Sequence, residues 1–322
     1  MIVLVGLALF LVAELALRSY HRRIERAYLP VELRAETRWL RREDLRAKQR
    51  IVCLGDSITY GESLPYEHSY PALLADQLER AYPALAIAVI NAGIGGNTAV
   101  LGQARFARDV AWYSPDTVIV NFGINDGHLG HWPLDPVRER RMRGDLYLWE
   151  RTDALLRHSH VYLTARARTR RALHMMGWQG PHPVSASSQE LQPRVSEAGF
   201  RMALERLIHD ARQAGCAAIF LATMTPVSEP FYSRLGSQEE QRQRLIYDRY
   251  NVVIREVALQ QAVQLVDLAA AFAGKLQQPS HFNNHAPLLA TDGVHLTSEG
   301  ERLIALEVFE RVVALRLYEK AD

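Results

Sequence analysis

The chain has 322 residues, of which 48% are hydrophobic and 23% charged, and its formal net charge is +2. That length allows one large domain or two small ones around a sizeable core, and the composition excludes a chain that is mostly disordered. A near-balanced charge argues against a nucleic-acid binder.

Residues 1–17 are apolar except for Glu14, and Arg18-Ser-Tyr-His-Arg-Arg follows. The run reaches the lower limit of about 17 residues for a spanning helix. It lacks the basic leader and small-residue cleavage site of a secretory signal. The expectation is an uncleaved N-terminal hydrophobic helix that anchors the protein in a membrane, with a buried or interfacial helix as the alternative. The positive-inside rule places the Arg-rich side in the cytoplasm, and only basic residues hidden by a misplaced start codon would reverse that, so both sides are kept as expectations. Residues 18–50 are dense in Arg and Glu and read as a charged helical stalk. Their basic residues also suit contact with anionic lipid head groups.

From Ile51 the pattern changes. Ile51–Leu54, Ile87–Ile90, Thr117–Val120 and Ala217–Leu221 are short apolar runs bounded by turn residues, with Val263–Val266 a possible fifth. Such runs suit strands buried on both faces. Helix-period stretches lie between them at Tyr70–Ala81, Ala99–Ala111, Phe200–Ala214 and Gln238–Ala262. Alternation of this kind predicts a parallel sheet covered by helices. A last helix is expected from Ser298, where Ser298-Glu-Gly-Glu301 fits a capping box. Pro133–Arg194 shows no strand pattern. It reads as an insertion, a possible lid, with an Arg-rich helical stretch at Asp153–Met176 and a loop at Gly177–Ser188. His158 and His160 lie within it, but a spacing of two on a helix points the rings apart and argues against a metal pair. Cys53 and Cys216 sit in or beside apolar runs and read as small core residues, without a metal-site spacing.

Four separate segments carry residues suited to chemistry. Gly55-Asp-Ser-Ile-Thr59 directly follows the first strand, where open parallel sheets bind ligands. Alone it is equally an ordinary turn. Asn91-Ala-Gly-Ile-Gly-Gly-Asn97 follows the second strand, and its glycines let backbone N–H groups approach a ligand. It lacks the G-x-G-x-x-G spacing of dinucleotide sites. Gly123-Ile-Asn-Asp126 follows the third strand; Asn125 there suits an oxyanion donor, or an Asx turn. Asp292-Gly-Val-His295 precedes the last helix, at a spacing that lets a carboxylate hold the imidazole of its own turn. Asp56 and Asp126 are expected to accept hydrogen bonds that shape their loops.

In order and content these four blocks resemble the SGNH hydrolases, the GDSL esterase/lipase family. The resemblance runs over roughly Ile51–Val313 and leaves out Pro133–Arg194. It implies a flavodoxin-like three-layer α/β/α fold and no cofactor or metal. It also implies Ser57 as nucleophile, His295 as base and Asp292 as the group that orients it. The oxyanion hole would comprise the N–H of Ser57, the N–H of Gly96 (Gly95 being the weaker choice) and the amide of Asn125. The implied partner is an ester. With the site held near a membrane, a lipid ester or an acetylated envelope glycan is expected. Trp132, Trp149 and Trp178 suit sugar stacking, an acyl site or simple packing alike. An O-acyltransferase using the same triad and a silent scaffold on the same fold are the alternatives. The domains expected are therefore 1–17, 18–50 and 51–322.

Overall fold

The computed structural model describes residues 2–21, 49–130, 161–162, 165, 191–277 and 287–315. The chain divides into two compact units, residues 1–39 with 131–190, and residues 40–130 with 191–322. Residues 22–48 of the expected stalk, with Trp132, Trp149, Trp178, His158 and His160, lie outside the described residues, while 18–21 belong to the N-terminal helix and 49–50 to the first strand.

In the first unit, α1 spans Ile2–His21. The expected anchor is not supported. Among the described residues, no helix is long and apolar enough to cross a membrane. Glu14, in the middle of α1, is buried within this unit, where its carboxylate accepts the Val161 N–H at 3.0 Å. A carboxylate at the centre of a spanning helix would be costly in lipid; here it has a protein partner.

The second unit is built on strands β1 (Gln49–Gly55), β2 (Ile87–Gly93), β3 (Thr117–Asn121), β6 (Ala218–Ala222) and β7 (Gln264–Val266). They form one parallel sheet in the order β2-β1-β3-β6-β7. This is the strand order of flavodoxin-like folds. All five residues of β3 and all five of β6 are buried, so helices cover both faces, as the continuous apolar runs require. One helical group joins α3 (Tyr70–Ala81), α10 (Leu268–Gln277) and α11 (Ser298–Ala314). The other joins α4 (Ala99–Ala104), α7 (Glu197–Gln213) and α9 (Ser237–Gln260). Phe200 stacks on Tyr250 with ring centroids 4.8 Å apart, fastening α7 to α9. The chain passes outward from β1 to β2 and then returns across β1 to β3. That reversal opens a crevice beyond the carboxyl ends of β1 and β3, where such sheets bind ligands.

Three local expectations are corrected. The helix read over Ala99–Ala111 breaks at Arg105 into α4 and α5 (Phe106–Asp109), followed by a 3₁₀ turn at Ala111–Tyr113. Arg105 leaves helical geometry with φ −106° and ψ 1°. The Pro133–Arg194 stretch does contribute a strand: β5 (Gln192–Pro193) pairs antiparallel with β4 (Leu129–Gly130). Two residues are too few to leave a periodicity. The capping box is shifted as well. Thr297 caps α11, its hydroxyl accepting the Gly300 N–H at 3.3 Å.

Ser298 and Glu301 reach instead to the start of α3. The Ser298 hydroxyl bonds His68 Nδ1 at 2.7 Å, and the Glu301 carboxyl accepts the Tyr70 N–H at 2.7 Å. Burial pushes Glu301 up to about 8, against the lowering pull of that N–H. The folded protein therefore holds a proton that the unfolded chain releases, and this contribution to stability shrinks as pH rises from about 4.5 to about 8. Thermal denaturation should show Tm falling over that window, by about 2–4 °C per kcal/mol for a domain of this size. Glu301→Gln keeps an acceptor for Tyr70 and should flatten the fall. A variant whose profile runs parallel to wild type would remove Glu301 as its source.

Candidate active site

The first strand delivers Ser57 to the crevice. A Cβ on Gly55 would lie 1.9 Å from Thr59 Oγ1 and 2.7 Å from the Asn121 carbonyl, so only glycine fits where β1 turns. Asp56 then caps the one-turn helix α2 (Ser57–Tyr60), its carboxylate accepting the Ile58 N–H at 3.0 Å. Ser57 is the first residue of that turn, where backbone N–H groups lack intrahelical partners. It is 9% exposed, buried just beyond the carboxyl end of β1.

The loop after β2 lies against this turn. An ideal Cβ on Gly95 would stand 4.0 Å from Ser57 Cβ and 3.1 Å from the Glu62 carboxylate. Gly96 follows with φ +72° and nothing within 4 Å of its would-be Cβ. Its backbone conformation, not crowding, is what asks for glycine. The Gly96 carbonyl accepts Arg194 Nη1 at 2.6 Å.

The loop after β3 supplies Asn125, in the one-turn helix α6 (Ile124–Gly127). Asn125 Nδ2 donates to Asp56 Oδ2 at 3.2 Å. This directs one amide hydrogen at the residue beside Ser57 and leaves the amide plane fixed. Asp126 turns the other way. Its two oxygens accept the Ala99 N–H at 2.9 and 3.2 Å, joining the third loop to the N-terminus of α4. Burial pushes Asp126 up to about 8 and Asp56 up to about 6. On Asp56, the Ile58 N–H, the Asn125 amide and the charge of His295 pull against burial. Both carboxyls destabilise the fold as pH rises from their ordinary range, with the same sign as Glu301.

The last segment holds Asp292 and His295 between a tight bend and α11. Asp292 Oδ2 meets His295 Nδ1 at 2.5 Å, and its Oδ1 accepts the N–H groups of Val294 and His295, each at 2.9 Å. Partial burial raises Asp292, but these hydrogen bonds and the imidazole outweigh it and hold the carboxyl below its ordinary value. Asp292 thus stays ionised through the neutral range and keeps a proton on Nδ1, leaving Nε2 as the basic nitrogen. Gly293 has φ +79°, and a Cβ there would lie 2.7 Å from the Phe231 nitrogen. The Ser228 N–H donates to the Gly293 carbonyl at 2.8 Å, so the chain entering α8 (Glu229–Tyr232) clamps this bend.

Ser57, Gly96 and Asn125 therefore lie on the loops that follow β1, β2 and β3, and Asp292 with His295 on the loop before α11. Asp56 links them, being next to Ser57, bonded to Asn125 and within the electrostatic reach of His295. The roles of Arg105 and Arg194 escape the sequence, because an Arg in a helical stretch or beside a proline reads as a solvated side chain.

The profile of the GDSL-like Lipase/Acylhydrolase family matches residues 53–303. The chain belongs to this family. The match takes in all four blocks and more than half of the chain, and the family is one of esterases and acylhydrolases. Among relatives in the GDSL-like family, an acetylxylan esterase from Geobacillus stearothermophilus is 26% identical over 267 residues, covering 80% of this chain and 90% of that protein. An arylesterase from Vibrio mimicus is 38% identical over 88 residues, 27% of this chain. That match spans only 42% of the arylesterase's own length. Among solved structures, an α/β hydrolase enzyme from the metagenome of Lake Arreo, Spain, superposes with a TM-score of 0.52 at 24% identity, covering 84% of this chain and 97% of its own. The acetylxylan esterase from Geobacillus stearothermophilus superposes with a TM-score of 0.51 at 21% identity, over 82% of this chain and 94% of its own. These superpositions support the GDSL-like fold.

Proposed function

We propose that this protein is a serine esterase that works through an acyl-enzyme on Ser57. The observation that carries the reading is the Asp292–His295 pair. Its carboxylate accepts the Val294 and His295 N–H groups and meets the imidazole Nδ1, and the charge of His295 is felt at Asp56, which is next to Ser57 and bonded to Asn125. In the first step His295 Nε2 takes the Ser57 proton as Oγ attacks the ester carbonyl. The oxyanion forms among the N–H of Ser57, the N–H of Gly96 and the second Nδ2–H of Asn125. The tetrahedral adduct collapses, the C–O bond to the alcohol breaks, and His295 returns the proton to the leaving alkoxide. Water then repeats the sequence, passing its proton to His295 and releasing the acid and Ser57. Asp292 stays ionised throughout, and no step calls on a metal or cofactor.

For the substrate we propose a short-chain ester, an acetyl group on a glycan hydroxyl. Support comes from the acetylxylan esterase relative, whose match runs over nearly the whole of that protein. The test is twofold. A fluorophosphonate probe should label the wild-type protein and not Ser57→Ala. Acetylated xylo-oligosaccharides should then lose acetate faster than long-chain aryl esters are cleaved. An unlabelled, folded wild-type protein would refute the nucleophile, and a preference for long chains would refute the substrate while leaving the esterase standing.

Asn125→Ala should lower kcat about 10²–10³-fold with KM nearly unchanged, because the amide serves an oxygen that is fully charged only in the transition state. If KM alone rises, Asn125 binds substrate rather than the oxyanion.

A further inference from the structure

We infer that Arg105 is a positioning residue for the oxyanion hole, holding the Gly96 N–H in register with the Ser57 N–H. This rests on the esterase reading above. Arg105 lies nowhere in the four blocks, and its side chain is 7% exposed. Its three guanidinium nitrogens each serve a different segment. Nη2 donates to the Gly55 carbonyl at 2.8 Å, two residues before Ser57. Nε donates to Asn97 Oδ1 at 3.1 Å, one residue after Gly96. Nη1 donates to Asp109 Oδ2 at 3.0 Å, on α5.

The two backbone donors of the proposed hole stand on loops from different strands, and loops are the least rigid part of a parallel sheet fold. A hydrogen bond from the Ile94 N–H to the Gly55 carbonyl, 3.1 Å, also joins these loops. It acts before the turn at Gly96, whose φ of +72° redirects the chain. Arg105 grips the loop on the far side of that turn, through Asn97. Gly96 is thus held at both ends. The grip also explains the break between α4 and α5: Arg105 leaves helical geometry at the residue whose side chain runs inward to Gly55. Asp109 offsets part of the cost of burying the cation. Burial lowers the affinity of Arg105 for its proton, and the Asp109 carboxylate opposes this. The planar fork spans acceptors on three separate segments at once, which the compact ammonium of lysine is too small to bridge.

A displacement of about 1 Å in a catalytic donor can cost roughly 10²-fold in rate. Arg105→Lys should therefore lower kcat by about 10–100-fold with KM changed less than about 3-fold. Asn97→Ala, which cuts one arm and leaves the cation paired with Asp109, should lower kcat by about 3–10-fold, and that loss should vanish in the Arg105→Lys background. An alkyl boronic acid is the second readout. Ser57 Oγ adds to its boron as the Ser57 proton passes to His295, giving a tetrahedral anion seated in the hole. Its affinity should weaken by the same factor as kcat/KM, whereas a merely structural lesion would leave that ratio unmatched. Hydrogen exchange of residues 94–98 should rise in Arg105→Lys whether or not any ester is turned over. A wild-type protein without esterase activity would therefore refute the esterase reading and leave the exchange comparison to judge the clamp. Additive losses, a boronate affinity that does not change, or equal exchange in the two proteins would each overturn the role of Arg105.

Discussion

Ser57→Ala should remove about 10⁶-fold of ester turnover, the scale on which a serine hydrolase loses rate with its nucleophile. Water can still be activated by His295, and the proposed oxyanion donors remain, so a residue of about 10³–10⁴-fold over the uncatalysed reaction should persist. The variant should keep its Tm. The turn around Ser57 is held by its main chain, with the Gly61 and Glu62 N–H groups on the Ser57 carbonyl and the Ile58 N–H on Asp56. Loss of turnover without loss of Tm is therefore the expected pair of results. Turnover within about 10-fold of wild type in a folded variant would mean that another group attacks the ester.

Asp292→Asn should lower kcat by about 10⁴-fold, the loss seen when an orienting carboxylate is made neutral in a related triad. Asn Oδ1 can still accept the Val294 and His295 N–H groups, so the bend should persist. The group facing His295 Nδ1 becomes an amide. If its NH₂ turns toward the ring, Nδ1 must accept and the proton moves to Nε2, the nitrogen that has to receive the serine proton. Nor can the amide offset the charge of an imidazolium. The loss should therefore fall on kcat, and fluorophosphonate labelling should slow in proportion, since both depend on activating Ser57. A variant that labels at the wild-type rate but turns over slowly would confine the role of Asp292 to deacylation.

The sheet was legible because its strands are buried on both sides, and a short apolar run bounded by glycine or proline admits few other readings. β3 and β6 came within one residue of their expected limits. The candidate site was legible for another reason: it is written in short blocks, each just past a strand or before a helix. What escaped depends on side chains meeting across long sequence separations. Nothing local in Gln-Ala-Arg-Phe, residues 103–106, says that Arg105 turns inward to Gly55. Ser298 and Glu301 had the spacing of a capping box, but their side chains do more by satisfying His68 and Tyr70 across the helix pair. The anchor reading found no support among the described residues, and Glu14, the one charged residue of the run, has a protein partner there.

The order of the parts along the chain has a consequence for synthesis. The candidate nucleophile lies at the start of the sheet domain and the candidate base just before its last helix. Synthesis runs from the N-terminus, so the serine leaves the ribosome long before its base exists. When the base does emerge, its loop is framed by the docking of α11 onto α3 through Ser298 and Glu301. A nascent or truncated chain thus carries Ser57 without its proposed base, and the candidate site is complete only with the closing contact of the fold.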